Sequence, residues 1–307
     1  MEKVIVVIGP TSVGKTKMGV ALAKKFNGEV ISGDSMQIYK QMDIGTAKVT
    51  EEEKEGIIHH CVDILNPDET YSVHDFQQTV RKKITEITQR GHVPIIVGGT
   101  GLYIKAALYD YQFDEMENDH HAINEKYKDY TNEQLHDHLK SIDEESAKIL
   151  HFNNRRRVLR AIEIYETTGK RKSEMLEEQE HICLYDAYFV GLTLPRDVLY
   201  ERINKRVDVM MENGLKEEME RLYSQGLTRN HQSMKAIGYK EWFDYYDHQI
   251  DLNDVLELIK KHSRQYAKRQ YTWFKNQFDV HWYDVNLENF EQTFEQVTDD
   301  IEKILKV

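Results

Sequence analysis

The apolar positions of the first hundred residues fall into short blocks separated by stretches of helical period. Val4–Ile8 is one such block, Glu29–Ser32 reads as a second short strand, and Val93–Val97 suits a strand covered on both faces. Between the first two, Met18, Leu22 and Phe26 share one face of a helix predicted over Lys15–Phe26, with Gly28 as its stop. Phe76, Val80, Ile84 and Ile87 form the stripe of another helix, which Ser72 can cap and which runs through Arg90 to Gly91. Strand, helix, strand, helix, strand predicts an α/β fold with a parallel sheet and helices on both faces.

After Tyr109 this pattern stops. Asp114–Asp119 is acidic and polar, and no strand pattern returns until Tyr185–Leu194. Helices are predicted over Asn132–Leu139 and over Arg157–Thr168, the latter stopped by Gly169. Residues 112–185 therefore read as a mostly helical insertion domain between two parts, 1–111 and 186–307, of one core. Ala187–Leu194 resumes the sheet and Pro195 ends it. The remainder is expected to be helical, over Val198–Met211, Leu215–Ser224 and a long segment from about Asn253 to Phe274.

Composition narrows the class. The 307 residues are 40% hydrophobic, enough for a core of this size, and four prolines and sixteen glycines argue against disordered linkers. Two cysteines, Cys61 and Cys183, can build neither a disulfide framework nor a zinc site of the usual spacing, so free thiols are expected. The first apolar run is too short for a signal segment or a membrane span. A monomer in the cytoplasm with no membrane partner is the expected context.

The candidate chemistry begins at Gly9-Pro10-Thr11-Ser12-Val13-Gly14-Lys15-Thr16, a full match to G-x-x-x-x-G-K-[ST] between a strand and a helix. Such a P-loop wraps backbone N–H groups around phosphate oxygens, and the helix that follows adds the positive end of its dipole. Lys15 supplies a charge to the terminal phosphate, and Thr16 can hold Mg²⁺. The loop alone leaves open an ATP-dependent kinase, an NTPase or a binding protein without turnover. An NTPase usually carries an Asp after a later apolar strand, but Val93–Val97 runs into Gly98-Gly99-Thr100 without an acid. Asp34 instead follows the second strand. Residues beyond strand C-termini line the cleft of a parallel sheet, so Asp34 and Thr100 are expected on the same rim as the P-loop. Asp34 can accept a proton from a substrate amine or hydroxyl, or merely cap a turn. Thr100 can donate to an oxygen gaining charge, or serve as a helix N-cap.

The net charge of −12 argues against a polyanionic partner only if it is spread evenly, which it is not. Arg155-Arg156-Arg157 and Arg160 open one helix, with Lys170-Arg171-Lys172 a little beyond. Arg202 and Arg206 lie four apart on another. The last long helix carries Lys260, Lys261, Arg264, Lys268, Arg269 and Lys275, interleaved with Tyr266, Tyr271, Trp273 and Phe274. That mixture suits either an RNA-tracking surface or a solvated stripe beside core aromatics.

In order along nearly the whole chain, the P-loop, Ser32-Gly33-Asp34-Ser35-Met36-Gln37-Ile38-Tyr39, Met42-Asp43-Ile44-Gly45-Thr46-Ala47-Lys48, Val97-Gly98-Gly99-Thr100-Gly101-Leu102-Tyr103, Arg157-Val158-Leu159-Arg160-Ala161, Ile237-Gly238-Tyr239 and Lys268-Arg269-Gln270 resemble the bacterial tRNA dimethylallyltransferases. The resemblance implies a P-loop core whose helical insertion grips the anticodon stem-loop of tRNA. It implies transfer of a dimethylallyl group from dimethylallyl diphosphate to N6 of adenosine 37, with Mg²⁺. Asp34 would then be the base or anchor for N6, and Thr100 would support the departing diphosphate. Gly9 to Thr16 and Arg206 would hold the phosphates. Asp34, Ser35, Met36, Gln37, Thr100, Arg156, Arg157 and Arg160 would contact the RNA.

Overall fold

The computed structural model describes residues 1–111, 120–177 and 181–305; the acidic stretch 114–119 lies outside them. The chain divides into two compact units, Met1–Tyr109 with Cys183–Val307, and Asp110–Ile182. The division falls slightly outside 112 and slightly inside 185. The physical reason is local: Tyr109 and Cys183 form an antiparallel bridge that belongs to the core side.

In the first unit, β1 (Lys3–Ile8), α1 (Lys15–Lys25), β2 (Gly28–Ser32), α2 (Glu51–Lys54), β3 (His59–His60), α3 (Val73–Gln89), β4 (Val93–Val97) and α4 (Gly101–Leu108) precede the second unit. The second unit holds α5 (His120–Lys126), α6 (Asn132–Ile142), α7 (Glu144–Ile149), α8 (Arg155–Thr168) and α9 (Lys172–Glu177). The first unit then resumes with β5 (Asp186–Thr193), α10 (Arg196–Glu212), α11 (Leu215–Ser224), α12 (Trp242–Tyr246), α13 (Leu252–Gln277), β6 (His281–Asp284) and α14 (Phe290–Leu305).

The six strands pair in the order β3-β2-β4-β1-β5-β6, all parallel. Side chains of β1 alternate between two apolar layers, as strand geometry requires. Val4, Val6 and Ile8 join a layer containing Phe76, Val80 and Ile84 of α3, Ile104 of α4 and Phe274 of α13. Ile5 and Val7 join the opposite layer, with Met18 and Leu22 of α1 and Val297 and Ile301 of α14. Helices therefore cover both faces; β4 meets the expectation of a strand buried on both sides, and β1 is buried on both as well.

Local signals explain several boundaries. Ser72 and Asp75 form a reciprocal capping box at the start of α3, and Gly91, at φ 78°, turns the chain after it. Gly169, at φ 71°, closes α8. The stop expected at Gly28 lies one residue earlier. Phe26 is the C-cap, Asn27 takes the left-handed turn at φ 50°, and Gly28 already belongs to β2. The tail is not entirely helical either, because β6 adds a sixth strand at the edge.

One buried acid ties the far edge together. Glu29 on β2, 2% exposed, accepts from Arg90 Nε (3.0 Å) and Nη2 (2.7 Å), and contacts His60 Nε2 (2.6 Å) and His92 Nδ1 (2.8 Å). Burial pushes its carboxyl up, but the bonds from Arg90, His60 and His92 outweigh this and bring it down to about 2. A depressed acid contributes stability that is complete above its ordinary range near 4.5 and is lost as pH falls towards 2. Glu29→Gln should therefore destabilise the chain by about 2–3 kcal/mol at neutral pH. This is below the ~3–5 kcal/mol typical of a fully buried pair, since Arg90 remains partly in water. Urea titrations of both forms at pH 7 and pH 3 check it; the gap should narrow at pH 3.

Candidate functional site

Hairpin-tight backbone shapes the P-loop. Gly9 adopts φ 144° where a Cβ would collide with the Leu192 carbonyl of β5, and Gly14 takes φ 103° at the N-cap of α1. Ser12 is also left-handed, at φ 67°, and its buried hydroxyl has no hydrogen-bond partner among the described residues. Val13 is buried among core side chains. Thr11, Ser12, Gly14, Lys15 and Thr16 line a cavity of about 780 Å³, while Gly9, Pro10 and Val13 frame it. Lys15 Nζ donates to the Pro10 carbonyl at 2.7 Å.

From α10, Arg206 Nη1 donates to Thr11 Oγ1 at 3.1 Å, and Arg202 Nε to the Ser12 carbonyl at 3.0 Å. Arg206 and Lys15 face each other electrostatically. Burial first, and then Arg206, lowers the Lys15 ammonium to about 7, with Asp34 opposing. Burial likewise lowers Arg206, again against Asp34. Two half-buried cations facing one cavity favour an anion there.

Asp34 reaches this cavity from the end of β2. Its Oδ1 accepts from Met36 N (2.8 Å) and Gln37 N (3.4 Å), so the turn-capping role is real. No donor among the described residues engages Oδ2, which leaves one oxygen for chemistry. Thr100 does occupy the N-cap position of α4, but its hydroxyl makes no cap bond. Instead Thr100 Oγ1 accepts from Ser35 N (3.2 Å) and lies 3.4 Å from Ser35 Oγ. The loops after β2 and β4 can approach this closely because a Cβ at Gly98 would overlap the Gly33 backbone. A second cavity of about 340 Å³ shares Thr11, Ser12, Asp34, Arg206 and Tyr266 with the first and adds Ser35 and Met36. Gln37 lines the larger cavity and donates to the Ala47 carbonyl at 3.2 Å.

The remaining basic residues divide. Lys260 pairs with Asp208 of α10 (2.8 Å) and with Glu257 (3.2 Å). Phe274 is fully buried and Trp273 packs over Gly101, so the aromatics of α13 are not a free stacking row; Tyr266 alone among them lines the cavity. In the helical unit, Arg155 is structural, donating to the carbonyls of Tyr127 and Tyr130 at 2.7 Å each. Arg156 and Arg157 are exposed, and Arg160 bonds Glu163 at 2.8 Å. Burial, then Arg157 and Arg160, lowers the Lys172 ammonium.

The family model described as IPP transferase matches residues 37–277. The chain belongs to the IPP transferase family. It is 55% identical over 287 residues, 92% of this chain and 90% of the relative, to the tRNA dimethylallyltransferase of Bacillus cereus (strain AH187). A crystal structure of tRNA delta(2)-isopentenylpyrophosphate transferase from Staphylococcus epidermidis is similar with TM-score 0.74 and 47% identity, covering 99% of both chains. A eukaryotic dimethylallyltransferase solved acting on tRNA is similar with TM-score 0.86 and 33% identity, over 99% of this chain and 79% of that one. As an IPP transferase the chain is an enzyme, and the kinase reading is not favoured.

Two members of the site escaped sequence reasoning. Glu218 of α11, 2% exposed, accepts from the N–H groups of Asp43 (2.9 Å), Ile44 (2.9 Å) and Gly45 (3.1 Å) and from Tyr239 OH (2.6 Å). It fixes the 43–47 loop that lines the cavity. Gln270 of α13 contacts both the P-loop and Gly99. The family-like runs at 42–48, 237–239 and 268–270 hinted at these places, but each partner lies at least twenty residues away.

Proposed function

We propose that this IPP transferase moves the dimethylallyl group of dimethylallyl diphosphate onto N6 of adenosine 37 of tRNA, releasing diphosphate. The observation that carries the reading is that one cavity joins a polyanion cradle (Lys15, Arg206, the start of α1) to a carboxylate with one oxygen unengaged, Asp34. A kinase-like cradle alone would not need that acid on the acceptor side.

The diphosphate lies in the loop from Gly9 to Thr16, where the N–H groups from Ser12 to Thr16 and the Lys15 and Arg206 cations balance its charge, the Thr11 N–H being taken by Gln270. The N6 lone pair attacks the allylic C1, and the C1–O bond breaks with its electron pair leaving on the diphosphate. The N6 proton passes to Asp34 Oδ2. The Thr100 hydroxyl supports the bridging oxygen as its charge grows. The Thr16 hydroxyl, a hard oxygen donor on this cavity, would hold Mg²⁺. The ion would supply further neutralisation of the leaving group. The target base must leave its stack to reach such a pocket. Ser35, Met36 and Gln37 contact the RNA beside it, and Arg156, Arg157 and Arg160 of the helical domain hold phosphates of the anticodon stem-loop. The enzyme works as a cytoplasmic monomer; none of its described helices is long and apolar enough to cross a membrane.

The test is incorporation of labelled dimethylallyl diphosphate into unmodified tRNA with Mg²⁺. Label should enter transcripts with adenosine at position 37 and not those with guanosine there. Absence of label across several adenosine-37 tRNAs would remove the reading.

A further inference from the structure

Two loops must hold a fixed spacing for the proposed reaction: the P-loop, where the leaving group sits, and Gly98-Gly99-Thr100, which presents the hydroxyl. At their roots the two loops are tied by the sheet, the Gly98 N–H donating to the Val7 carbonyl at 3.1 Å; farther out, among the described residues, Thr11 and Gly99 are joined through a side chain and not through backbone. Gln270 on α13, 6% exposed, accepts the Thr11 N–H at Oε1 (2.9 Å) and donates from Nε2 to the Gly99 carbonyl (2.9 Å). Tyr266, one turn earlier on the same helix, donates to that carbonyl at 3.3 Å.

We infer that Gln270 is a positioning residue that sets the distance between the P-loop and Thr100, a role that rests on the function proposed above. Its chemistry is specific. A primary amide of this length accepts at one tip atom and donates from the other, which an ionised carboxylate (no donor) and Lys or Arg (no acceptor) cannot do. The seat is equally specific, because a Cβ at Gly99 would collide with Gln270 Nε2. Each end also controls a group in the site. Holding Thr11 aims its hydroxyl at Arg206. Holding Gly99 fixes the residue before Thr100, whose hydroxyl receives the Ser35 N–H. A break at Gln270 thus reaches the reacting geometry without removing any phosphate ligand, and small displacements of reacting groups are costly.

The experiment compares the full-length wild type with Gln270→Met, which keeps volume and loses both bonds, and Gln270→Glu, which keeps only the acceptor. Transfer kinetics should show kcat lowered ~10- to 100-fold in both, as expected for lost orientation, with inorganic diphosphate affinity by calorimetry changed less than about threefold. Amide hydrogen exchange by NMR supplies a readout that needs no turnover. In Gln270→Met the Thr11 and Ser35 amides should both exchange at least ~10-fold faster; in Gln270→Glu the Thr11 amide should stay protected and Ser35 should not. Ser35 touches Thr100 and not Gln270, so unchanged Ser35 protection would overturn the inference. So would a fall in melting temperature with kcat unaltered. If wild type transfers no label but Ser35 loosens as stated, the proposed reaction fails and the positioning role stands.

Discussion

Replacing Asp34 by asparagine should lower the rate of dimethylallyl transfer ~100- to 10,000-fold, the range for removing a positioned general base. The substitution is nearly isosteric. Its carbonyl oxygen can still accept from Met36 N and Gln37 N, so the turn after β2 survives and thermal stability should stay within about 1 kcal/mol of wild type. In the proposed reaction, what is lost is the second oxygen's ability to take the N6 proton. Affinity for inorganic diphosphate should change little or rise slightly, because the Asp34 charge acts on both Lys15 and Arg206. Single-turnover transfer separates the rate of chemistry from tRNA release, and calorimetry with diphosphate reads the second claim. Transfer within tenfold of wild type would reduce Asp34 to an anchor for the base.

How much of this was legible in the chain depends on the range of each signal. The P-loop, the Ser72 capping box and the Gly91 and Gly169 turns are written in contiguous residues and were readable. The parallel core was readable because β1 and β4 are apolar on both faces. The edge strands were not. His59–His60 spans two residues and His281–Asp284 is mostly polar, and edge strands bond on one side only. Glu218 gave no signal, and Gln270 stood in a family-like run without a role, for another reason: a charged or amide side chain on an amphipathic helix looks solvated until its partners arrive from distant sequence. Asp34 and Thr100 lie between these cases. Their place at strand ends followed from topology, whereas the Thr100–Ser35 bond that displaces the ordinary helix cap did not.

Replacing Lys15 by methionine should lower transfer ~100- to 1,000-fold, as for loss of one strong charge-stabilising donor, and should also abolish a proton linkage. In the free enzyme the ammonium is held near 7, by burial and then by Arg206, so at pH 8 most molecules carry neutral Lys15. Diphosphate favours the charged form and raises that value again. Binding at pH 8 should therefore take up close to one proton, and binding at pH 6 almost none. Affinity should fall with rising pH above 7, by up to ~10-fold per unit. Calorimetry in buffers of different ionisation enthalpy measures the uptake. Protonation of diphosphate itself is common to both proteins and cancels in the comparison, so equal uptake by wild type and Lys15→Met would refute the linkage. The same depressed value has a cost in stability. Below pH 7 Lys15 is charged in both the folded and unfolded chains and the full penalty of burying it applies; the penalty relaxes as pH rises from 7 towards 10.5. Lys15→Met should thus melt at a higher temperature than wild type at pH 6, with the gap closing at alkaline pH. An enzyme that becomes more stable on losing a buried cation is one whose site is strained by design, and in the proposed function the diphosphate relieves that strain.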